Sequence, residues 1–351
     1  MQLSGAEIMC RILAEEGVTT VFGYPGGAIL PFYDALRQSP IQHILTAHEQ
    51  GAAHAADGFA RASGKVGVCI ATSGPGATNL VTGLATAYLD SIPVVAITGQ
   101  VNRALIGHDA FQEVDITGIT MPITKHNFLV KKPENLAQTL RLAFQLAREG
   151  RPGPVLVDVP RDVQTALIDF EEVCPEKLQA LKPDAARVTA AAMAISKAQR
   201  PVMLIGGGVI SANAEYDAMH LCEKLHMPVV STLMGLGAIS AYRQLFLGMT
   251  GLHGHERANN AVKEADLILA VGSRFNDRVT GERSSYSANK LVIHLDIDPA
   301  EVDKNIDSGI GITGDMVTTL QALEKEAEQH DLSSWWDKIN SWPGMDDDFG
   351  D

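Results

Sequence analysis

Apolar, β-branched segments of about five residues alternate along this chain with stretches of helical period, and no other feature restricts its fold so tightly. Segments apolar on both faces are strands of a parallel sheet covered by helices on either side. A first series predicts strands at 19–22, 41–46, 66–71, 94–98 and 155–159, and a second at 202–205, 229–231, 267–271 and 291–295. Between the two, residues 165–187 read TALIDFEEVCPEKLQALKPDAAR, with acids, two prolines and no strand of their own, the pattern of a linker. The fold class is therefore α/β, as two doubly wound parallel-sheet domains over 1–165 and 188–330 joined by a linker at 166–187. A length of 351 residues agrees, since one core stops growing below that size. The first helix is punctuated by Ser4 and Glu7 at capping-box spacing and by a stop at Gly17. Beyond Asp331 the chain turns aromatic and then acidic, SSWWDKINSWPGMDDDFGD, and residues 331–351 are read as a divergent, disordered tail.

Charge and cysteine usage exclude several classes of function. A net charge of -14 with scattered Lys and Arg disfavours nucleic acid or an anionic membrane as partner. The first residues lack a basic region followed by an apolar run, and no apolar stretch reaches about 18 residues, so a cytoplasmic location is expected. Cys10, Cys69, Cys174 and Cys222 form no C-x-x-C pair and read as small buried hydrophobes. A zinc H-E-x-x-H motif would need His at position 52, which is Ala, and neither a G-x-S-x-G elbow nor a Walker pattern occurs. His253 and His255 in LHGHER lack nearby partners and read as structural, so no metal site is expected.

Glycine-rich turns carry the positive signals. The strand at 66–71 runs into TSGPGATN (72–79) and then a helix, a place where free N–H groups favour anions or polar ligand edges. Pro75 and Asn79 break the dinucleotide pattern G-x-G-x-x-G, which leaves a plain structural turn equally open. In the second series Gly206, Gly207 and Gly208 lie between a strand and a helix, where a ligand would rest against bare backbone. In VGSRFNDRVTG, Arg274 and Arg278 sit one helical turn apart, which suits a phosphate or a surface ion pair. HLDIDP closes the fourth strand with Asp296 and Asp298, placed like ribose-binding acids. The segment TAHEQGAAHAADGFARASG (46–64) is the most unusual. After Glu49, ten of the fourteen residues from Gly51 to Gly64 are Gly, Ala or Ser, so another backbone or a flat ligand would approach closely. Glu49 opens this helix, where a carboxylate is favourable with or without a ligand, but a poorly hydrated acid is what proton handling requires.

Together these residues resemble the catalytic large subunit of the acetohydroxyacid synthase (acetolactate synthase) family, thiamine-diphosphate enzymes. VFGYPGGAILPFYDAL, HEQGAAHAADGFARASGKVGV, TSGPGATNLVTGLATAYLDSIPVVAITGQV, DAFQEVDITGIT, TKHNF and GRPGPVLVDVPRDV are similar to its N-terminal domain. GGGV, LMGLGA, GMTGLHG, GSRFNDRVTG and HLDIDPAEVDKN are similar to its central domain. The resemblance implies a pyrimidine-binding domain followed by a Rossmann-like flavin-binding domain. It implies that Glu49 hydrogen-bonds the aminopyrimidine ring of thiamine diphosphate, that pyruvate is decarboxylated and joined to a second 2-keto acid in branched-chain (valine and isoleucine) biosynthesis, and that the enzyme is a homodimer. Tyr24, Pro25, Gly26, Gly27 and Ala28 would form the loop over the reacting carbon, with Phe111 and Gln112 lining the same cavity. A structural FAD would lie along Arg151, Gly206, Gly207, Gly208, Thr232, Leu233, Gly251, His253, Gly272, Arg274, Arg278, Asp296 and Asp315.

Departures from the family pattern are Asn276 in place of Asp, Arg161 in place of Lys, and Asn102 where Pro is common. The larger departure is a third domain with the Gly-Asp-Gly motif and distal Asn that hold Mg2+ and the diphosphate; no Gly-Asp-Gly occurs here. The resemblance therefore implies that only the pyrimidine end of the cofactor is held by this chain and that Mg2+ enters with the missing domain. Activity then needs a separate C-terminal chain, and a regulatory small subunit is a further possible partner. An inactive flavin-binding or dimerising fragment, or a relative such as a pyruvate oxidase, stands as the alternative; a glyoxylate carboligase is disfavoured by Glu49.

Overall fold

The computed structural model describes residues 1–173 and 179–344. The chain divides into two compact units, Met1–Leu178 and Gln179–Asp351, each built on a six-stranded parallel sheet.

In the first unit the strands run across the sheet as Gln42–Leu45, Thr20–Gly23, Gly67–Ala71, Val94–Gln100, Val155–Pro160 and His126–Leu129. Gly67–Ala71, Val94–Gln100 and Val155–Pro160 are buried at every residue, as expected of central parallel strands. Alternate side chains feed two different cores. Val68, Ile70, Val95, Ile97, Val155 and Val157 join Ile8, Ile12, Phe32 and Phe144 on one face. Cys69, Ala71, Val94, Ala96 and Leu156 join Ala52, Ala53, Ala56 and Leu84 on the other. One face is bulky, while alanine supplies about half of the other. The first helix, Gly5–Glu15, has the expected capping box of Ser4 with Glu7, and Gly17 follows it at φ +73°.

The second sheet runs Phe246–Met249, Val229–Ser231, Pro201–Ile205, Leu267–Val271, Leu291–Asp296 and Ile310–Thr313. Its third, second and first strands in chain order lie to one side and its fourth to sixth to the other, the order of dinucleotide-binding sheets.

Four expectations are corrected. Leu167–Asp169 is a strand, pairing antiparallel with Gln2–Ser4 and burying Ile168, so the segment 165–187 is not strandless; three residues are too few for a periodic signal. His126–Leu129, Phe246–Met249 and Ile310–Thr313 are further strands that the pattern did not reveal, each at or next to a sheet edge. The segment from Asp331 is not disordered at its start. Ser333–Asn340 is a helix, Trp335 is 1% exposed, and its Nε1–H donates to the Pro201 carbonyl at 3.1 Å. Two tryptophans bury enough apolar surface to outweigh the polar residues around them. Finally, the small residues behind Glu49 are filled by protein: a Cβ on Gly67 would lie 2.1 Å from the Ala56 carbonyl, and one on Gly83 would lie 2.4 Å from Ala53 Cβ. They let helix Glu49–Ser63 press against a strand and a neighbouring helix, and that face is closed to a ligand. Cys10, Cys69 and Cys222 are buried and free; Cys174 and the tail from 345 lie outside the described residues.

Candidate functional site

The carboxyl ends of adjacent strands Thr20–Gly23 and Gly67–Ala71 mark the point where strand order reverses in the first sheet, the crevice in which open α/β sheets hold ligands. Three segments converge there: the turn 24–28, the turn 72–79, and the start of helix Glu49–Ser63, which follows the neighbouring strand Gln42–Leu45.

Glu49 is the first residue of its helix and only 8% exposed. His48 caps the helix, its Nδ1 accepting from the Gln50 N–H at 3.1 Å, and the helix dipole favours the adjacent carboxylate. Glu49 Oε2 accepts from Asn79 Nδ2 at 2.9 Å. A Cβ on Gly76 would stand 3.2 Å from Glu49 Oε1 and 2.8 Å from Thr72 Cγ2, so glycine keeps that approach clear. Asn79 thus has a task of its own: the residue that broke the nucleotide pattern in the sequence fixes the acid.

The turn Tyr24, Pro25, Gly26, Gly27, Ala28 is seated from below. The Ala28 N–H donates to Thr72 Oγ1 at 3.2 Å, and the Ala28 carbonyl accepts from Gln164 Nε2 at 2.8 Å. A Cβ on Gly26 would come within 2.5 Å of Thr72 Cγ2, whereas one on Gly27 would meet nothing within 4 Å. Gly27 therefore faces open space, and Tyr24 is exposed beside it. Thr72 and Gln164 were missed from sequence. A threonine in a glycine-rich turn is a weak signal, and nothing marks Gln164 before the fold brings it across 136 positions to Ala28.

Gln112 reaches the same edge through its backbone. It sits at φ +58°, and a Cβ on Gly74 would lie 2.7 Å from its carbonyl oxygen. Side chains favour neither conformation nor crowding of this kind, so the contact is held by its surroundings. Phe111, on the same loop, is 87% exposed in this unit. Arg151 also belongs to the first unit, where its Nε–H donates to Ser91 Oγ at 2.8 Å.

The second sheet has its own reversal, between Pro201–Ile205 and Leu267–Val271, and there the chain offers backbone. A Cβ on Gly206 would lie 2.1 Å from the Gly272 carbonyl oxygen, and one on Gly208 would lie 2.7 Å from Gly272 Cα. Only glycine permits this crossing, and Gly272 itself sits at φ +59°. Thr232 Oγ1 accepts from the Gly235 N–H at 3.2 Å and Leu233 is exposed. Gly251, at φ +112°, packs on the Arg278 backbone, whose carbonyl accepts from the Leu252 N–H at 2.8 Å. His253 is exposed. The Arg274 carbonyl accepts from Asn305 Nδ2 at 2.9 Å. The Arg278 side chain is 73% exposed and 3.9 Å from Asp277. Asn276 caps the short helix Asp277–Thr280, its Oδ1 accepting from the Val279 N–H at 3.1 Å. Asp296 is buried at the strand end, its Oδ1 accepting from the Asp298 N–H at 2.9 Å. Asp315 caps helix Met316–Glu326 through the Thr318 N–H at 2.9 Å.

Among the described residues no group of three or more His, Cys, Asp or Glu side chains could hold a metal, and no helix is long and apolar enough to cross a membrane.

A buried acid at one sheet reversal and bare glycine backbone at another define a class that comparison with known proteins names. Residues 3–119 match the model of the thiamine pyrophosphate enzyme N-terminal TPP binding domain, and residues 188–323 that of the thiamine pyrophosphate enzyme central domain. A probable acetolactate synthase large subunit of Methanocaldococcus jannaschii is 52% identical over 347 residues, covering 96% of this chain and 59% of the relative. The acetolactate synthase isozyme 2 large subunit of Escherichia coli is 50% identical over 329 residues, covering 94% and 60%. The acetolactate synthase large subunit of Corynebacterium glutamicum is 49% identical over 350 residues, covering 96% and 56%. The chain belongs to the thiamine pyrophosphate enzymes and, within them, to the acetolactate synthase large-subunit family, spanning about three fifths of the length of the curated relatives it matches.

Proposed function

We propose that this chain supplies the pyrimidine-binding and central parts of an acetolactate synthase, which joins pyruvate, after loss of CO2, to a second 2-keto acid. The observation that carries the reading is Glu49, nearly buried at the strand-order reversal with Oε2 tied to Asn79 and Oε1 facing the clearance at Gly76. Thiamine diphosphate, when bound, supplies the electron sink for decarboxylation and carboligation. The protein's part is to hold a proton at one ring nitrogen. Glu49 Oε1 fits that task because Asn79 occupies the other oxygen, and burial strengthens any hydrogen bond made there. The turn 24–28, pinned by Thr72 and Gln164, borders the reacting region with Gly27 and Tyr24, and Gln112 stands opposite over Gly74. The diphosphate and Mg2+ are assigned to the part of the curated relatives that this chain does not span.

FAD is assigned to the second unit, supported by its strand order and the side-chain-free crossing of Gly206, Gly208 and Gly272. Relatives named large subunits support a smaller partner chain, and two copies of the chain are expected in the assembly.

The test is reconstitution. With thiamine diphosphate, Mg2+, FAD and pyruvate the chain alone forms no acetolactate; addition of the C-terminal remainder of a relative as a separate polypeptide produces it. Turnover by the chain alone, or none with a folded remainder that binds it, would overturn the reading.

A further inference from the structure

Behind the Gln112 loop lies a polar trio to which the proposed chemistry gives no role. Thr98 and Asp158 are cross-strand partners on the alanine-rich face of the first sheet, and Gln100 is two residues further along the same face. All three are buried, Asp158 to 2% exposure. Thr98 Oγ1 donates to Asp158 Oδ1 at 2.7 Å, and Gln100 Nε2 donates to Asp158 Oδ2 at 2.9 Å. The rest of the Gln100 amide grips the chain on both sides of the loop. Its Oε1 accepts from the Val101 N–H at 2.9 Å, where the loop leaves the sheet, and its Nε2 donates to the Val114 carbonyl at 3.0 Å, where the loop returns. Within the loop, the Glu113 carboxylate accepts from the N–H groups of Gly107 and Ala110.

We propose that Gln100, oriented by Asp158, is a positioning residue that closes the feet of the 101–114 loop and thereby holds Gln112 against Gly74 beside the Glu49 site. The arrangement explains why three hydrogen-bonding side chains occupy the end of a face otherwise built of Ala and other apolar residues. With Asp158 fixing one Nε2 hydrogen and Val114 the other, the amide cannot flip, and Oε1 stays on Val101. The catalytic meaning of the loop rests on the function proposed above; the clamp does not.

Hydrogen exchange of the full chain without cofactor tests it, so a chain that binds no thiamine diphosphate still answers. Gln100→Leu removes both grips and is expected to speed exchange of the amides at 102–113 about tenfold, with strand Val94–Gln100 little changed. Asp158→Leu should do the same. Asp158→Asn should restore near-normal exchange, because its Oδ1 accepts from Gln100 while its Nδ2 donates to Thr98 Oγ1. A merely structural role for the pair predicts faster exchange throughout the sheet and no such rescue. Wild-type exchange at 102–113 in Gln100→Leu, or equal loosening by Asp158→Asn and Asp158→Leu, would overturn the proposal. Should Asp158→Leu fail to fold, the comparison of Gln100→Leu with Asp158→Asn still decides. If the clamp holds while reconstitution fails, the functional reading alone is lost.

Discussion

The two sheets reverse strand order in similar ways yet present opposite things at the reversal. The first brings a side chain, Glu49, at the head of the fifteen-residue helix Glu49–Ser63. The second brings bare backbone, with Gly206, Gly208 and Gly272 packed so tightly that a methyl group on the first would strike a carbonyl at 2.1 Å. Shared topology therefore places a ligand without choosing its chemistry. Acid–base work needs a functional group held in a poorly hydrated place, whereas a long flat ligand needs absence of side chains.

The contrast is broken most severely at Glu49. In the reconstituted enzyme, Glu49→Gln is expected to lower turnover by about 10²–10⁴-fold, because the amide cannot exchange a proton, while the melting temperature stays near that of wild type. Exchanging the glycine rule between units comes next. Gly206→Ala and Gly67→Ala each drive a Cβ to 2.1 Å from a carbonyl oxygen and should destabilise their unit by about 2–3 kcal/mol or more in denaturant unfolding. Gly27→Ala, in open space, should leave unfolding unchanged.

Asp158 sharpens the comparison through pH. Burial pushes its carboxyl from 3.8 up to about 7, with the nearby Asp115 charge acting in the same direction and the Thr98 and Gln100 hydrogen bonds opposing. The folded state holds a proton that the unfolded state releases, so the stability this gives is complete below the ordinary Asp value and is lost as pH rises through about 7. Between pH 5 and pH 8 the wild-type melting temperature should therefore fall by about 5 °C more than that of Asp158→Asn. The smallest expected effect is at the chain's first helix, where Ser4→Ala removes one side of the capping box and costs about 1 kcal/mol.

What was legible in the sequence followed the same division. Central strands such as Gly67–Ala71 announced themselves because burial on both faces forces unbroken apolar runs. Edge and three-residue strands such as Ile310–Thr313 and Leu167–Asp169 did not, since partial burial and short length erase the pattern. Glu49 was visible because an acid before a run of small residues is rare. The reason for that run was misread: Gly67 and Gly83 receive Ala56 and Ala53, so the alanines serve packing, and the glycine that stands against the Glu49 carboxylate is Gly76. Asn79, Thr72, Gln164 and the Gln100–Asp158 pair act across distant positions, and only the folded sheet brings them to their partners. In the tail, Trp335 and Trp336 outweighed a polar composition that had been read as disorder.

Turnover by the reconstituted enzyme with Glu49 and with Gln at that position, measured at saturating thiamine diphosphate, is the most direct test of the account. It predicts a drop of at least about a hundredfold with the fold intact. Equal rates would show that the buried acid at the first reversal is only a helix-terminal charge, and the assignment of that crevice would fall with it.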